Sequence, residues 1–463
     1  MKNFSFDRVA GQSILVLGAG ETGRSAVRWF RAKGADVCIW DSQSDTPNLS
    51  YVKTHYPEVR RLSGNLPDLE LREFLFVVAS PGIPLPVGFI DSAATHDVPI
   101  FGDVEIFIEI NRAYLGAKVV AITGTNGKTT ITSMVAQVLN ANSISSTTVG
   151  NIGVPVLDVL SSIEQGEIEK PEVFVLEISS FQLALANSFS SDVSVVTNIS
   201  EDHLDRHGSM SDYVAAKSRV FMGSGTPIVN RDDPLIMNMF PESGQQTISV
   251  GVGAPTRDHE WGIQQKRGEA WLSKFETPLI RCVDLKVIGI HNQLNALIAL
   301  AICDCIVPTN PTGLEAICGF IGLDHRMQLV SFLNGIRFIN DSKGTNVGAT
   351  RAALSSMEGG CVLIVGGLSK GQDFSYLLSG LEEKIRAVVL FGQDKHRIRE
   401  SLCKFNVELA LAGTLADAVS IAVEKCETGD TVLFSPACAS FDMFKDYQDR
   451  GRVFSEIVRG MKN

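Results

Sequence analysis

The stretch VVAITGTNGKTTITSMVAQVL, residues 119–139, decides the fold of this chain. It starts with an apolar run rich in β-branched residues, continues through a polar loop with two glycines, and ends with the apolar spacing of a helix. A strand, a glycine loop and a helix in this order are typical of a parallel sheet with crossover helices. We therefore expect an α/β fold around this segment.

The loop in this segment is similar to a phosphate-binding P-loop. In Gly127-Lys128-Thr129, the usual end of such a loop, backbone N–H groups cradle phosphates, the lysine reaches the β and γ oxygens, and the hydroxyl meets Mg²⁺. Position 122 is Ile where a standard P-loop has its first glycine, so this loop is shorter. The sequence predicts that ATP or GTP binds to seven consecutive residues, Gly124, Thr125, Asn126, Gly127, Lys128, Thr129 and Thr130.

Similar junctions recur along the chain, where short apolar runs at residues 14–17, 362–365 and 388–391 each lead into glycine and then helix-type sequence. A chain of 463 residues is too long for one hydrophobic core, and its length favours about three domains. We expect a Rossmann-like domain over residues 1–108, a central P-loop-type ATPase domain with a parallel sheet over 109–322, and a second Rossmann-like α/β domain over 323–463.

The composition limits the class of protein. Hydrophobic residues make up 44% and charged residues 20%, as in a soluble folded protein. The formal charge of −11 argues against a nucleic-acid binder, because phosphate backbones need a basic face. Nine scattered cysteines without a CxxC pair favour a reducing compartment. The apolar stretch near the N-terminus is too short for a signal peptide or a membrane span, so we expect a cytoplasmic protein.

A second glycine turn lies near the N-terminus, in ILVLGAGETG. Gly18, Gly20 and Gly23 have GxGxxG spacing after a strand and before a helix-type pattern, and Asp41 follows at the end of the next apolar run. This arrangement is that of a dinucleotide fold, in which the helix N-terminus receives a diphosphate and the acid binds a ribose. The residues alone leave three alternatives open, namely NAD, another nucleotide diphosphate, or a purely structural turn.

Polar residues follow two further apolar strands in the central region. Glu177 ends one strand and His203 follows another, at the sheet edge where α/β folds bind ligands. Together they are suited to Mg²⁺ beside phosphates, although capping and turn roles remain open. Lys217, on a helix-type stretch, is a solvated lysine or a phosphate contact. Asn295 is either a helix cap or a nucleotide contact.

TGTNGKTT and the segments around it resemble the Mur ligases and the related folylpolyglutamate synthases, three-domain enzymes that couple ATP hydrolysis to amide formation. The resemblance implies a carbamylated Lys217 that binds or orients Mg²⁺, with two Mg²⁺ ions held near Thr129, Glu177, His203 and Lys217. It implies that Asn295 contacts the ATP base and ribose, and that Arg326 and Lys343, in GLDHRMQLV and RFINDSKGTN, neutralise the transferring phosphoryl group. Asp341, in the second of these segments, belongs to the implied ATP site. The implied catalytic set is Lys128, Glu177, His203, Lys217 and Lys343.

The segment LFSPACASFDMFKDYQDRG, residues 433–451, resembles the branch of this family that adds D-glutamate. The resemblance implies that Thr345, Lys370, Ser440 and Tyr447 bind D-glutamate. Tyr447 stands where that branch often has Phe, and Leu368 and Ser369 replace an acidic residue before the lysine. Two absences support this branch. Asn126 stands where the L-alanine-adding branch has His, and the chain contains no DNPR segment.

In this family the GxGxxG turn holds UDP rather than NAD. The implied contacts with UDP-N-acetylmuramoyl-L-alanine are Glu21, Thr22, Ser42, Gln43, Asn151 and His203, and Gln43 stands at a position that is Arg in some relatives. The implied enzyme is a monomer that joins D-glutamate to this substrate through an acyl phosphate, and His203 either positions the substrate or handles a proton. The alternatives are a folylpolyglutamate-type ligase, an NAD-dependent dehydrogenase, which leaves GTNGKTT unexplained, and a non-catalytic nucleotide sensor.

Overall fold

The computed structural model of the chain describes residues 6, 8–44, 46–66, 70–239 and 247–461. Three sheets of five, nine and six strands follow one another along the chain, with helices between the strands. Most neighbouring strands are parallel, which confirms the predicted α/β class. No helix within these described ranges is long and apolar enough to cross a membrane.

The first sheet contains the N-terminal glycine turn. Its region comprises β1 (Ser13–Leu17), α1 (Glu21–Ala32), β2 (Asp36–Asp41), α2 (Pro47–His55), β3 (Arg60–Ser63), β4 (Phe76–Ala79), α3 (Val87–Thr95) and β5 (Ile100–Gly102). The strand order is β3-β2-β1-β4-β5, and every pair is parallel. Because β1 lies in the middle, the turn that follows it opens at the carboxyl edge of the sheet.

The second sheet contains the P-loop. Its region comprises α4 (Asp103–Ile110), β6 (Lys118–Thr123), α5 (Lys128–Ala141), β7 (Ser146–Gly150), α6 (Val156–Glu164), β8 (Val173–Glu177), α7 (Ser180–Leu185), β9 (Val193–Val196), α8 (Leu204–His207), α9 (Met210–Ser218), β10 (Thr226–Asn230), α10 (Pro234–Met239), β11 (Ile248–Val250), β12 (Glu260–Lys266), β13 (Glu269–Lys274), β14 (Thr277–Arg281), α11 (Ile290–Asp304) and α12 (Pro311–Gly319). The order β14-β13-β12-β11-β10-β9-β6-β8-β7 places β6 between β8 and β9. The P-loop, Glu177 and the segment after β9 therefore meet at one edge.

The central sheet has an antiparallel extension that the sequence analysis did not anticipate. Strand β13 is antiparallel to both of its neighbours, β12 and β14, whereas the strands from β7 to β12 in the sheet order are parallel. The hairpin between β12 and β13 turns at Arg267 and Gly268, both with positive φ. Such turns match the twist of a hairpin but usually carry Asn-Gly or Asp-Gly, so Arg-Gly was a weak signal.

The third sheet contains the second set of predicted site residues. Its region comprises β15 (Gln328–Leu333), β16 (Ile336–Asn340), α13 (Val347–Ser355), β17 (Cys361–Gly366), β18 (Ile385–Phe391), α14 (Lys395–Leu402), β19 (Glu408–Leu411), α15 (Leu415–Glu424), β20 (Thr431–Phe434) and α16 (Tyr447–Gly460). The order is β15-β16-β20-β17-β18-β19, with only β15 antiparallel to its neighbour among the described strands.

The first and second sheets are joined by α4, and residue 108, the predicted end of the first domain, lies within this helix. The predicted domain boundaries stay predictions. Ion pairs from α1 and its C-cap residue to α6 also link the two regions, since Arg28 Nε lies 2.9 Å from Asp158 Oδ1 and Lys33 Nζ lies 2.8 Å from Glu164 Oε1. These contacts hold the two glycine turns in a common cleft.

Candidate active site

The P-loop adopts a shape that only glycine permits at two positions. Gly124 has a φ of 143°, and a Cβ there would lie 1.9 Å from Thr197 Oγ1. Gly127 has a φ of 83°, and a Cβ there would lie 2.7 Å from Asn295 Oδ1. Both positions combine a left-handed backbone with a close neighbour, so any side chain would displace the loop.

The segment after β9 holds this loop from below. The Asn126 backbone N–H donates to Asn198 Oδ1 at 2.9 Å, and Thr197 Oγ1 donates to the Asn126 carbonyl at 2.6 Å. Thr125 Oγ1 and Tyr213 OH share a hydrogen bond of 3.0 Å. These bonds fix the backbone of the loop before any ligand arrives, which is the preorganisation that phosphate binding requires.

A cavity of about 480 Å³ lies above the loop, between the second and third sheets. The structure brings to its wall nine of the ten predicted ATP-binding residues and five other predicted site residues. They are Thr125, Asn126, Gly127, Lys128, Thr129, Thr130, Asn151, Glu177, His203, Asn295, Arg326, Asp341, Lys343 and Thr345. Gly124, the tenth ATP-binding residue, starts the loop and accepts a hydrogen bond from Lys128 Nζ at its carbonyl, but it does not line the cavity.

Two lysines converge on the start of the loop. Lys128 Nζ donates to the carbonyls of Gly124 and Thr125, both at 2.9 Å. Lys217 Nζ donates to the same Gly124 carbonyl at 2.8 Å and is only 2% exposed, so it is not a solvated lysine. Burial, and then the charge of Lys128, lowers the pKa of Lys217 well below its usual range. Lys217 lies beneath the cavity and does not line it.

Glu177 presents an unpartnered oxygen at the end of β8. Its Oε1 accepts a hydrogen bond of 2.8 Å from Asn151 Nδ2, whereas its Oε2 is buried and has no hydrogen-bond partner among the described residues. A buried carboxylate oxygen left in this state favours a cation. Within the described ranges, no three His, Cys, Asp or Glu side chains are arranged to hold a metal. Glu177 and Thr129 therefore fit Mg²⁺ that also takes ligands from phosphates.

His203 lies at the N-terminus of α8 with a positive φ of 55°. Its Nε2 is 3.7 Å from Asp202 Oδ2, which is beyond hydrogen-bond distance. Burial lowers the pKa of the imidazole, so the neutral ring predominates near pH 7. A neutral ring at the cavity wall can position a substrate or accept a proton.

The third sheet contributes charged groups from the opposite side of the cavity. Asp341 Oδ2 accepts a hydrogen bond of 2.7 Å from Ser435 Oγ, and burial raises the pKa of this carboxyl to about 7. Burial, followed by the charges of Arg326 and Lys128, lowers the pKa of Lys343 to about 7. Burial also lowers the pKa of Arg326. An incoming polyanion would favour the charged form of each cation.

The four predicted D-glutamate residues do not share one pocket. Thr345 lines the first cavity, and Tyr447 lies with its ring centroid 4.0 Å from Lys343 Nζ. Lys370 Nζ instead pairs with Asp202 Oδ1 at 3.2 Å, and the buried Ser440 lines neither this cavity nor the next. The Lys370 contact joins the second and third sheets, which sequence reasoning did not foresee.

A second cavity, of about 440 Å³, reaches from the N-terminal glycine turn to the P-loop. The predicted residues Glu21, Thr22, Thr129, Asn151, Glu177, Lys343 and Tyr447 line it. Ser42 and Gln43 are exposed and lie outside its wall. Asp41 Oδ2 accepts a hydrogen bond of 2.8 Å from the Ala19 N–H, so this acid supports the turn itself.

The structure excludes one of the two roles predicted for Asn295, the helix cap. Helix α11 begins at Ile290 and has Gly289 as its N-cap, with no side-chain cap bond. Asn295 lies in the second turn, where its Nδ2 donates to Asn292 Oδ1 at 3.0 Å. The helix-cap interpretation was therefore wrong, because the helix starts earlier than the asparagine pattern indicates.

Sequence reasoning missed several residues of this site. Asn346 Nδ2 donates to Asn126 Oδ1 at 3.1 Å and thereby joins the third sheet to the P-loop. The fully buried Arg450 donates to Ser342 Oγ at 3.0 Å and to the Ser342 carbonyl at 2.8 Å, which fixes the segment between Asp341 and Lys343. Asn346 is the last residue of the motif DSKGTN, so its position was a signal, whereas nothing local marked Arg450.

Comparisons with known proteins agree with this architecture. Family models described as Mur ligase MurD-like N-terminal domain, Mur ligase middle domain and Mur ligase glutamate ligase domain match residues 12–102, 122–303 and 325–438. The chain is 40% identical to a UDP-N-acetylmuramoylalanine–D-glutamate ligase of Methylobacillus flagellatus, with 97% of each chain covered. It is also 40% identical to the enzyme of that name from Methylococcus capsulatus, covering 97% of this chain and 95% of that one.

A solved structure shows the same fold. The UDP-N-acetylmuramate-alanine ligase of Thermotoga maritima superposes with a TM-score of 0.57 at 22% identity, covering 97% of this chain and 100% of that one. At this identity the likeness concerns the fold alone. The full-length curated relatives and the three matching domain models decide the family, and the chain belongs to the Mur ligases, in the branch of the UDP-N-acetylmuramoylalanine–D-glutamate ligases.

Proposed function

We propose that this protein is an ATP-dependent ligase that adds D-glutamate to UDP-N-acetylmuramoyl-L-alanine in peptidoglycan precursor synthesis. One observation carries the proposal. Thr129, Asn151, Glu177 and Lys343 line both the P-loop cavity and the cavity that leads to the N-terminal glycine turn. A nucleotide triphosphate in the first cavity and a long UDP-linked acid in the second would therefore meet at these four side chains.

This meeting point fits the two-step reaction that the resemblance to the Mur ligases implies. The alanine carboxylate of the UDP-linked substrate attacks the γ-phosphorus of ATP, ADP departs, and an acyl phosphate forms. The amine of D-glutamate then attacks the acyl carbon, and the tetrahedral intermediate collapses with loss of phosphate. Lys128 from the loop and Arg326 and Lys343 from the third sheet would neutralise the charge that develops on the transferring group.

Mg²⁺ would supply charge neutralisation and orientation of the phosphates when bound. Thr129, Glu177, His203 and Lys217 would hold two such ions, with Lys217 carrying a carbamate. The buried Lys217 amine supports this assignment, since a lowered pKa increases the fraction of neutral amine, which is the form that takes up CO₂. The adduct would place an anion beside the P-loop.

The remaining predicted binding residues are assigned to substrates by their position relative to the two cavities. Glu21, Thr22 and Asn151 would bind the UDP-linked substrate, with Ser42 and Gln43 at its outer, exposed end. His203 would position the substrate carboxylate. Thr345, Lys370, Ser440 and Tyr447 would bind D-glutamate after the third domain shifts, because Lys370 is now paired with Asp202. We further propose that the protein works as a monomer in the cytoplasm.

Phosphate release tests the proposal. Purified protein is incubated with ATP, Mg²⁺ and UDP-N-acetylmuramoyl-L-alanine, and D-glutamate is compared with L-glutamate, L-alanine and L-lysine. We expect release with D-glutamate and a background rate with the others. Faster release with a different amino acid would assign the protein to another substrate, and release unaffected by Lys128→Ala would exclude this ATP site.

A further inference from the structure

Asp103 is a buried acid that none of the roles above uses. It is the first residue of α4, it is 4% exposed, and it lines the second cavity. Gln182 and the Val104 N–H hydrogen-bond to its carboxyl group, but its Oδ1 is buried and has no partner within the described residues. Burial raises the pKa of Asp103 to about 6, so the carboxylate still predominates at neutral pH.

Glu105, two residues further along the same helix, provides the contrast. It is 3% exposed, and its Oε1 accepts hydrogen bonds of 2.9 and 2.8 Å from the Ser188 N–H and Oγ. Its Oε2 accepts one of 3.2 Å from the Asn187 N–H. This second buried acid is satisfied by protein donors alone, so it serves the structure. Asp103 lacks such completion, since its Oδ1 has no donor among the described residues, and Asp103 lines the second cavity whereas Glu105 does not.

The position of Asp103 identifies the kind of donor that would complete it. The same cavity wall contains Glu21 and Thr22 at the proposed nucleotide end and Thr129 and Glu177 at the proposed reacting end. Asp103 belongs to the helix that joins the regions of these two ends. The portion of a UDP-linked sugar acid that spans them carries hydroxyl and amide N–H groups, and an unpaired buried carboxylate oxygen requires such a donor.

We propose that Asp103 is a substrate-binding residue whose Oδ1 accepts a hydrogen bond from a hydroxyl or amide N–H of the sugar portion of the UDP-linked substrate. This inference rests on the proposed function. It makes α4, the helix that joins the first and second sheets, part of the substrate-binding site. The sugar would be recognised there, in addition to the contacts at the nucleotide turn and the P-loop.

Two titrations of the full-length protein test this role without turnover. UDP-N-acetylmuramoyl-L-alanine and UDP alone are each titrated calorimetrically into wild type, Asp103→Asn, Asp103→Ala and the matched control Glu105→Gln. We expect Asp103→Asn to weaken binding of the full substrate about 10-fold and Asp103→Ala more, since a hydrogen bond to a charged group is lost. Binding of UDP should stay within about 2-fold in both variants, and Glu105→Gln should lower Tm without changing either affinity.

In steady-state assays the two Asp103 variants should raise the KM for the UDP-linked substrate and leave the KM for ATP unchanged, whereas Glu105→Gln should leave both KM values unchanged. Unchanged affinity of folded Asp103→Asn for the full substrate would overturn the inference, as would an equal loss for UDP alone. If wild type itself does not bind the UDP-linked substrate, the proposed function fails instead. If Asp103→Asn does not fold, the affinities of Asp103→Ala for the full substrate and for UDP decide in the same way.

Discussion

At the scale of single residues, Lys217 is the side chain whose chemistry depends most on its surroundings. It is buried against the P-loop and donates to the Gly124 carbonyl. We expect Lys217→Ala to lower kcat roughly 100-fold, the upper range for loss of a group that supports a metal ligand set. The measurement is steady-state phosphate release.

A second measurement separates a carbamate from a simple ammonium at this position. With ¹³C-bicarbonate, a carbamate signal should appear in wild type and be absent in Lys217→Ala. Activity should fall in decarbonated buffer and return when bicarbonate is added. Full activity in CO₂-free buffer, with no ¹³C signal, would show that Lys217 acts as an unmodified amine.

The pKa of Lys343, lowered to about 7 by burial, predicts a pH dependence of stability. The unfolded lysine has a pKa of about 10.4, so between pH 7 and 10 the unfolded chain binds more protons than the native protein. Stability should therefore rise with pH across this window. Lys343→Met should flatten that slope and raise Tm most near pH 7, by about 2 to 4 °C.

Thermal melts at half-unit pH steps from 6.5 to 10 measure this slope. The exposed Lys53, replaced by Met, is the control and should leave it unchanged. An identical slope in Lys343→Met and wild type would mean that the amine is solvated in solution.

At the scale of elements, the turn between β1 and α1 depends on how closely the helix approaches the strand. A Cβ at Gly23 would lie 1.7 Å from the Gly18 carbonyl oxygen, whereas a Cβ at Gly20 has no atom within 4 Å. Helix propensity alone predicts that Gly23→Ala would stabilise α1 by about 1 kcal/mol. The clash with backbone reverses this sign, and we expect a loss of about 1 to 3 kcal/mol.

Gly20→Ala is the matched control from the same turn. It should change the free energy of unfolding by less than about 1 kcal/mol, the scale of an N-cap effect. Urea unfolding of both variants measures the difference. Equal stability of the two would indicate that α1 can move away from β1 without cost.

At the scale of the whole molecule, Asn346 connects the third domain to the P-loop. Its Oδ1 accepts the Ala349 N–H and caps α13, while its Nδ2 donates to Asn126 Oδ1 and, at 3.4 Å, to Asp202 Oδ2. Asn346→Ser keeps the cap and removes the donors. We expect kcat to fall about 10-fold with little change in Tm, because each lost bond contributes about 1 kcal/mol to closure, the docking of the third domain against the P-loop.

Asn310→Ser is the corresponding control, since Asn310 caps α12 and donates to Asn142 Oδ1 within the central region. It should leave kcat unchanged. Small-angle X-ray scattering with ATP and the UDP-linked substrate should show a more open average shape for Asn346→Ser than for either wild type or Asn310→Ser. Equal turnover in both variants would mean that closure does not depend on this amide.

Local patterns in the sequence were sufficient to predict the α/β class and to propose most residues of the nucleotide site. The spacing of Gly124, Gly127, Lys128 and Thr129 belongs to one continuous turn, so its chemistry can be deduced from adjacent residues. Strand ends such as Glu177 could be placed at the same edge because parallel strands share a carboxyl edge. The assignment of Arg326 and Lys343 needed resemblance to a family, since isolated cations carry no local signal.

Tertiary structure alone decided how distant groups pair. Lys370 and Asp202 are 168 residues apart, and Asn126 and Asn346 are 220 apart, so no spacing along the chain marks either contact. Burial of the Lys217 amine and the unpartnered oxygen of Asp103 likewise depend on packing between separate elements. Glycine loops and apolar periodicity arise from neighbouring residues, whereas desolvation and hydrogen-bond completion depend on the three-dimensional surroundings of each group.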